Sequence, residues 1–300
     1  MRILIIGGRG FIGSHLTRHF RANGHTVFVC DVKPASGDEF YTCVDRFQPD
    51  YSSVIRTSQP DACVFAGGNG SVPVSLQHPQ LDFQLNCGTL FRLLDSLRTE
   101  KPGCKLIHLS SAAVYGSPGV LPVTEEHPVA PLSPYGWHKF YSELMCREHS
   151  RLYGMPTCSL RLFSVFGERL TKQLFWDIYQ KSKAGKHIGL FGTGEESRDF
   201  IYVGDLAIAL DKILQHTRFA GEVINVSSGV ETTIRDAANS FCRQLGNDYV
   251  LEFNGQRKEG DPVNWRADIR LLESFGFEYS VSLEEGLSRY ALWLREEELR

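Results

Sequence analysis

Ile3-Leu4-Ile5-Ile6-Gly7-Gly8-Arg9-Gly10-Phe11-Ile12-Gly13, near the start of a 300-residue chain, decides the fold. Ile3 to Ile6 is a short, continuously apolar run, as a strand buried on both faces requires. After the glycines, Ile12, Leu16 and Phe20 recur on one face of a helix. Gly7, Gly10 and Gly13 permit a tight turn, close approach of backbone to a pyrophosphate and close packing of helix on sheet. The helix N-terminus, at Phe11 and Ile12, then offers its N–H groups to phosphate. Val27-Phe28-Val29-Cys30-Asp31 reads as the next strand. Asp31 at its end is placed to accept hydrogen bonds from an adenosine ribose, and its charge repels a 2′-phosphate. This favours NAD over NADP, with Lys33 close by as the opposing charge.

The strand–helix alternation continues. Tyr41 to Val44 is a weak third strand ending at Asp45, which can reach an adenine edge. Asp61 to Ala66 is a fourth, running into Gly67-Gly68-Asn69-Gly70, where Gly67 and Gly68 leave room for a cofactor. A helix carrying Leu81, Leu85, Leu90, Leu93, Leu94 and Leu97 follows. Asn86 lies inside it, and because asparagine is a poor helix former a polar contact to the cofactor is the candidate role. Lys105 to Leu109 is the fifth strand and delivers Ser110-Ser111; Pro156 to Phe163 is another, ending in Ser164. The pattern implies an α/β, doubly wound parallel sheet with ligands at the carboxyl ends of its strands. The candidate residues fall at such ends.

Ser133-Pro134-Tyr135-Gly136-Trp137-His138-Lys139 carries the chemistry. Pro134 suits a helix entry, since a missing N–H costs nothing there. Four residues on, Lys139 shares a helix face with Tyr135, and a nearby cation is expected to lower the phenol's pKa from about 10. Ser111 beside that phenol would share the proton and hold a substrate oxygen. Together they form a proton relay for alcohol–ketone interconversion. Tyr179 and Lys183 repeat the spacing, but no serine-bearing strand precedes them.

The remainder bounds the answer. A net charge of -3 gives no general attraction to nucleic acid or to anionic membrane. No apolar stretch suits a signal peptide or a membrane span, and the eight scattered cysteines lack metal-ligand spacing. A reducing cytoplasm and no metal are the expectations. Beyond about Val165 the pattern changes: a Lys-rich helix, helices at Asp205–Leu214 and Ile234–Leu245, a strand at Val223–Val226 and a final helix from about Leu283. Residues 1–165, rejoined by the chain at about 199–226, are expected to bind the dinucleotide, with 166–300 as a smaller lobe.

With these residues assembled, the chain resembles the extended short-chain dehydrogenase/reductase family, in its nucleotide-sugar epimerase/dehydratase branch. The resemblance runs from Met1 nearly to the C-terminus and implies a Rossmann-type fold with a C-terminal substrate lobe. Gly7, Gly10 and Gly13 match the NAD(P)-binding glycines; Ser111, Tyr135 and Lys139 match the catalytic residues. Ser111-Ala112-Ala113-Val114-Tyr115-Gly116 is similar to the family's strand-end segment. Ser197 to Val203 and Gly204-Asp205-Leu206-Ala207 resemble its nucleotide-sugar segment. This implies that Arg198 meets the diphosphate, and that either Arg257 or Lys258 contacts nucleotide or phosphate. The family's helices at about Pro79–Leu97 and His138–Tyr153 imply a homodimer. Departures are also present: Phe65-Ala66-Gly67-Gly68 lacks the family's frequent histidine, Ser164 replaces a usual asparagine at a substrate-contact position, and a short loop leads into Leu170–Asp177, where the sugar should sit. Family dehydratases place an Asp-Glu pair after the strand-end hydroxyl; this chain has Ala112-Ala113, which cannot move protons.

The resemblance therefore implies an NAD-dependent nucleotide-sugar 4-epimerase. An NAD(P)H-dependent 4-keto-sugar reductase is the alternative. A non-enzymatic dinucleotide-binding regulator is the third reading, against which stands the retention of Ser111, Tyr135 and Lys139.

Overall fold

A computed structural model describes residues 1–35, 37–246, 248–256 and 259–299. Arg2–Ile6 forms β1, Phe11–Ala22 α1, Thr26–Asp31 β2, Tyr41–Cys43 β3, Tyr51–Ser58 α2 and Ala62–Phe65 β4. Val72–Gln77 (α3), Pro79–Phe83 (α4), a widened π-type turn at Gln84–Gly88 and Thr89–Glu100 (α5) lead to β5, Lys105–Ser111. Pro134–Tyr153 is α6, Thr157–Leu162 β6, Ser164–Phe166 β7, Gln173–Ser182 α7, His187–Leu190 β8 and Ser197–Tyr202 β9. Val203–His216 (α8), Ala220–Val226 (β10), Glu231–Thr233 (β11), Ile234–Leu245 (α9), Val250–Phe253 (β12), Arg270–Glu273 (α10) and Leu283–Glu298 (α11) complete the chain.

Seven parallel strands form the central sheet in the order β10-β6-β5-β4-β1-β2-β3. The alternation of side chains along β1 shows why helices cover both faces. Ile3 and Ile5 join Leu16 and Phe20 of α1 and Leu206 and Leu210 of α8 in one core. Leu4 and Ile6 join Ile55 of α2 and Leu93, Leu94 and Leu97 of α5 in the other. A fully buried leucine or isoleucine contributes about 1.5–3 kcal/mol, so both faces are needed to hold the sheet. Strand order reverses between β1 and β4, and the carboxyl ends on either side of that reversal form the crevice where ligands of such sheets bind.

Beside this sheet, β9 pairs with β7 in parallel and with β11 antiparallel, while β12 pairs with β8. The return to the large sheet is made by α8 and β10, whereas Ser197–Tyr202 lies in the three-stranded sheet. The helix expected over Leu81–Leu97 lies within a run that is helical without a break from Pro79 to Glu100, with a π-type turn at Gln84–Gly88 inside it. His78, non-helical before Pro79, separates α3 from α4, and the π-type turn carries Asn86 out of the α-helical register. Among the described residues no helix is long and apolar enough to cross a membrane.

Candidate active site

The glycine loop is shaped by contacts that a side chain would block. Gly7 has φ +79 and donates to Cys30 O at 2.7 Å. A Cβ on Gly13 would stand 2.2 Å from Gly7 O, so only glycine lets α1 lie this close to the loop. Gly10, as N-cap of α1, supplies no side-chain cap, and no acidic residue sits in the first turn. The N–H groups of Phe11, Ile12 and Gly13 are therefore left for an anion. Asp31, buried at the end of β2, accepts from the N–H of Arg9 (2.9 Å) and of Val32 (2.8 Å). Its carboxylate is thus fixed against the glycine loop with lone-pair capacity remaining for ribose hydroxyls.

Asp45 is exposed and its carboxylate accepts from Phe47 N and Gln48 N, bonds that hold it below the usual carboxylate range. It closes its own turn. Gly67 and Gly68 follow β4, and a Cβ on Gly68 would stand 2.5 Å from Asn86 Oδ1. Among the described residues that buried oxygen has no hydrogen-bond partner. An uncapped helix N-terminus, a fixed acid and a bare buried acceptor on the facing wall fit a dinucleotide.

Across the crevice, Ser111 ends β5, and its hydroxyl accepts from Ala113 N at 3.2 Å. Ser133 caps α6 through Gly136 N (3.3 Å) with Pro134 in the first turn, so that Tyr135 stands at the very start of the helix. Tyr135 keeps part of its surface open. Burial of the rest raises its pKa, the hydrogen bond with Ser111 lowers it, and the charge of Asp82 raises it. The expectation that Lys139 lowers this pKa is corrected here. The Lys139 ammonium donates to Leu109 O at 2.9 Å and lies 5.9 Å from the centre of the Tyr135 ring. Burial brings Lys139 itself down to about 8, against the opposing charge of Asp82. Ser111, Tyr135 and Lys139 are thus brought together, but it is Ser111 that favours the phenolate. Tyr179, by contrast, donates to Leu294 O at 3.3 Å, and Lys183 pairs with Glu298 at 2.8 Å.

Two buried networks beneath these residues escaped the sequence. Asp82 meets His138 Nδ1 at 2.5 Å and accepts from Asn69 Nδ2 (2.6 Å) and Asn86 Nδ2 (3.1 Å). It ties the loop after β4, the π-type turn and α6 together. Glu143, one turn past Lys139, binds Arg161 through two bonds of 3.0 and 2.7 Å and accepts from Ser110 at 2.6 Å. Position next to Lys139 was the signal for His138; Asp82 gave none beyond being a buried acid four residues before Asn86.

On the other side of the crevice, Arg198 leaves β9 with its guanidinium donating to Ser197 O (2.8 Å) and Val263 O (3.1 Å), over the Trp265 ring. Burial lowers its pKa, and no carboxylate is among its hydrogen-bond partners within the described residues. Its neighbour Asp199 anchors the strand through Ser227, Ser228, Gly229 and Ala267. Ser164 opens β7, half-buried opposite Phe200. Arg257 and Lys258 lie outside the described residues.

This arrangement has known relatives. The putative UDP-glucose 4-epimerase of Methanocaldococcus jannaschii is 29% identical over 98% of this chain and 98% of its own. UDP-glucuronic acid decarboxylase 1 of Xenopus tropicalis is also 29% identical, over 99% of this chain and 72% of its own. The crystal structure of Thermus thermophilus UDP-glucose 4-epimerase in complex with NAD superposes with a TM-score of 0.87, at 26% identity, covering 98% of this chain and 99% of that one. The model of the NAD dependent epimerase/dehydratase family matches residues 3–227, well over half of the sequence, from the glycine loop through β10. The chain belongs to that family, and NAD is its cofactor.

Proposed function

We propose that this chain is a nucleotide-sugar 4-epimerase acting on a UDP-hexose. The observation that carries the reading is the meeting of the Ser111 hydroxyl with the Tyr135 phenol beside the buried Lys139 ammonium, followed by the methyl groups of Ala112 and Ala113. When bound, NAD supplies the acceptor and donor of the C4 hydride. Tyr135 takes the proton of the C4 hydroxyl and later returns it, and Ser111 holds that oxygen while opposing the rise in phenol pKa that burial imposes. Lys139 spends one ammonium proton on Leu109 O and has two left for ribose hydroxyls. Arg198, positioned by backbone carbonyls with no carboxylate partner among its bonds, suits the sugar nucleotide's diphosphate. In this reading residues 1–165 with α8 and β10 hold the dinucleotide, and most of 166–300 holds the sugar nucleotide.

No acid–base pair follows Ser111, so dehydration is not expected. The short connection from Phe166-Gly167 to α7, together with Ser164, is what favours a 4-keto reductase as second reading. The test is to incubate the protein with UDP-hexoses, UDP-N-acetylhexoses and UDP-glucuronate, without added NADH, and to follow C4 configuration by NMR. Epimers are expected, with no net change in nicotinamide absorbance. Reaction of 4-keto sugars alone, with stoichiometric NAD(P)H, would establish the reductase. Carbon dioxide from UDP-glucuronate would place the chain with its decarboxylase relatives.

A homodimer is part of this proposal. Phe83 (47% exposed), Phe91 (48%) and Leu152 (68%), with Tyr141 and Leu144, leave the outer sides of α4, α5 and α6 apolar. Such a face is unusual on a monomer. Sedimentation should give the mass of two chains; that of one 33.8-kDa chain would refute it.

A further inference from the structure

The segment from Gly167 to Gln173 joins the two walls of the dinucleotide crevice. At one end the carbonyl of Glu168 meets His15 Nε2 of α1 at 2.9 Å. Arg169 then shares a cleft of about 190 Å³ with Gly8, Arg9, Ser14 and Thr17 of the glycine loop and α1. At the other end Lys172 Nζ donates to Gly70 O, at 2.9 Å, in the loop after β4. Arg169 (φ 71) and Gln173 (φ 68) both adopt the left-handed conformation that non-glycine residues avoid. The strain brackets Lys172, and such strain persists where the surroundings or a function require it.

The charge at Lys172 is unbalanced. Among the described residues no carboxylate pairs with it; its one hydrogen bond goes to a neutral carbonyl. The residue as a whole is exposed, but desolvation where its ammonium meets the loop after β4 lowers its pKa, and Lys172 in turn helps lower the pKa of Lys139. The Lys172 and Lys139 ammonium groups are therefore close enough for their charges to repel. The contact is close: a Cβ on Gly70 would stand 2.9 Å from Nζ. An ammonium has three donors, and two remain free.

We propose that Lys172 binds the diphosphate of the dinucleotide, carried there by a strap, Gly167–Gln173, that crosses the crevice from α1 to the loop after β4. The diphosphate of the cofactor is preferred to that of the sugar nucleotide because the strap's other anchor lies on α1, beside the glycine loop. The inference rests on the dinucleotide site and not on the reaction proposed above.

The experiment is a calorimetric titration of cofactor-free protein with NAD, ADP-ribose and adenosine, in the unaltered chain, Lys172→Gln and Lys172→Arg. Lys172→Gln should weaken NAD and ADP-ribose alike, by roughly 10- to 100-fold, as loss of a charged hydrogen bond implies. Adenosine binding should be unchanged, and Lys172→Arg should retain most of the affinity. Equal weakening of adenosine would reveal a merely structural role and overturn the proposal. Unchanged NAD binding would also overturn it, and weaker UDP-sugar binding in that case would give Lys172 to the substrate. Should the unaltered protein epimerise nothing while Lys172→Gln still loses NAD, the reaction proposed above falls and this assignment stands.

Discussion

Tyr135→Phe should lower turnover by about 10²–10⁴-fold, the range typical of a general acid–base group. The variant removes one oxygen at the start of α6 and leaves the ring in place, so folding and NAD content should be nearly unchanged. Ser111 loses its partner, but its hydroxyl still accepts from Ala113 N. Tyr179→Phe is the control, since that hydroxyl meets Leu294 O, Glu298 and Lys183 where α7 packs on α11, away from Ser111. Its turnover should stay within a few-fold of the unaltered protein. Equal losses in the two variants would contradict the assignment of the proton relay to Tyr135.

The second large effect concerns stability. Arg161 is 2% exposed and Glu143 1% exposed, and their two-bond pair is completed by Ser110 and by Arg161 donating to Glu125 O at 3.0 Å. Burial would lower the Arg161 pKa, but the carboxylate of Glu143 more than offsets it. Glu143→Ala leaves that guanidinium buried without a counter-ion, which should cost about 3–5 kcal/mol. Replacing both partners by apolar residues, Glu143→Leu with Arg161→Met, should recover much of the loss, because no charge is then stranded. Chemical denaturation measures both. A loss below about 1 kcal/mol in Glu143→Ala would mean that water reaches the pair. The site should feel the change, since Ser110 adjoins Ser111 and Glu143 stands one turn from Lys139.

The parts of the molecule legible in the sequence are those set by local rules. The glycine loop, the apolar strands and the entry of α6 at Ser133-Pro134 need only nearby residues to be read. The helices Ile234–Leu245 and Leu283–Glu298 begin where their apolar spacing begins. The helix read through Leu81–Leu97 is present, within a run unbroken from Pro79 to Glu100, but the π-type turn inside it was not legible. One extra residue in a π-type turn shifts the register without breaking the run of leucines, so the pattern alone hides it. The Asp82–His138 and Glu143–Arg161 contacts join residues far apart in the chain, and no spacing rule reaches that distance. The Tyr135–Lys139 pair shows the limit most clearly. Helical spacing put both groups on one face, but burial, the Ser111 hydroxyl and the charge of Asp82 set the directions of their pKa shifts.

The central claim is that the hydrogen at C4 leaves the sugar and returns to it within one site. It is tested most directly with a UDP-hexose deuterated at C4, incubated with the protein as purified and followed by NMR and mass spectrometry. The claim predicts a mixture of C4 epimers that both keep the deuterium on C4, with none released to water and no external NADH consumed. Loss of the label to solvent, or inversion that requires added NADH, would contradict it.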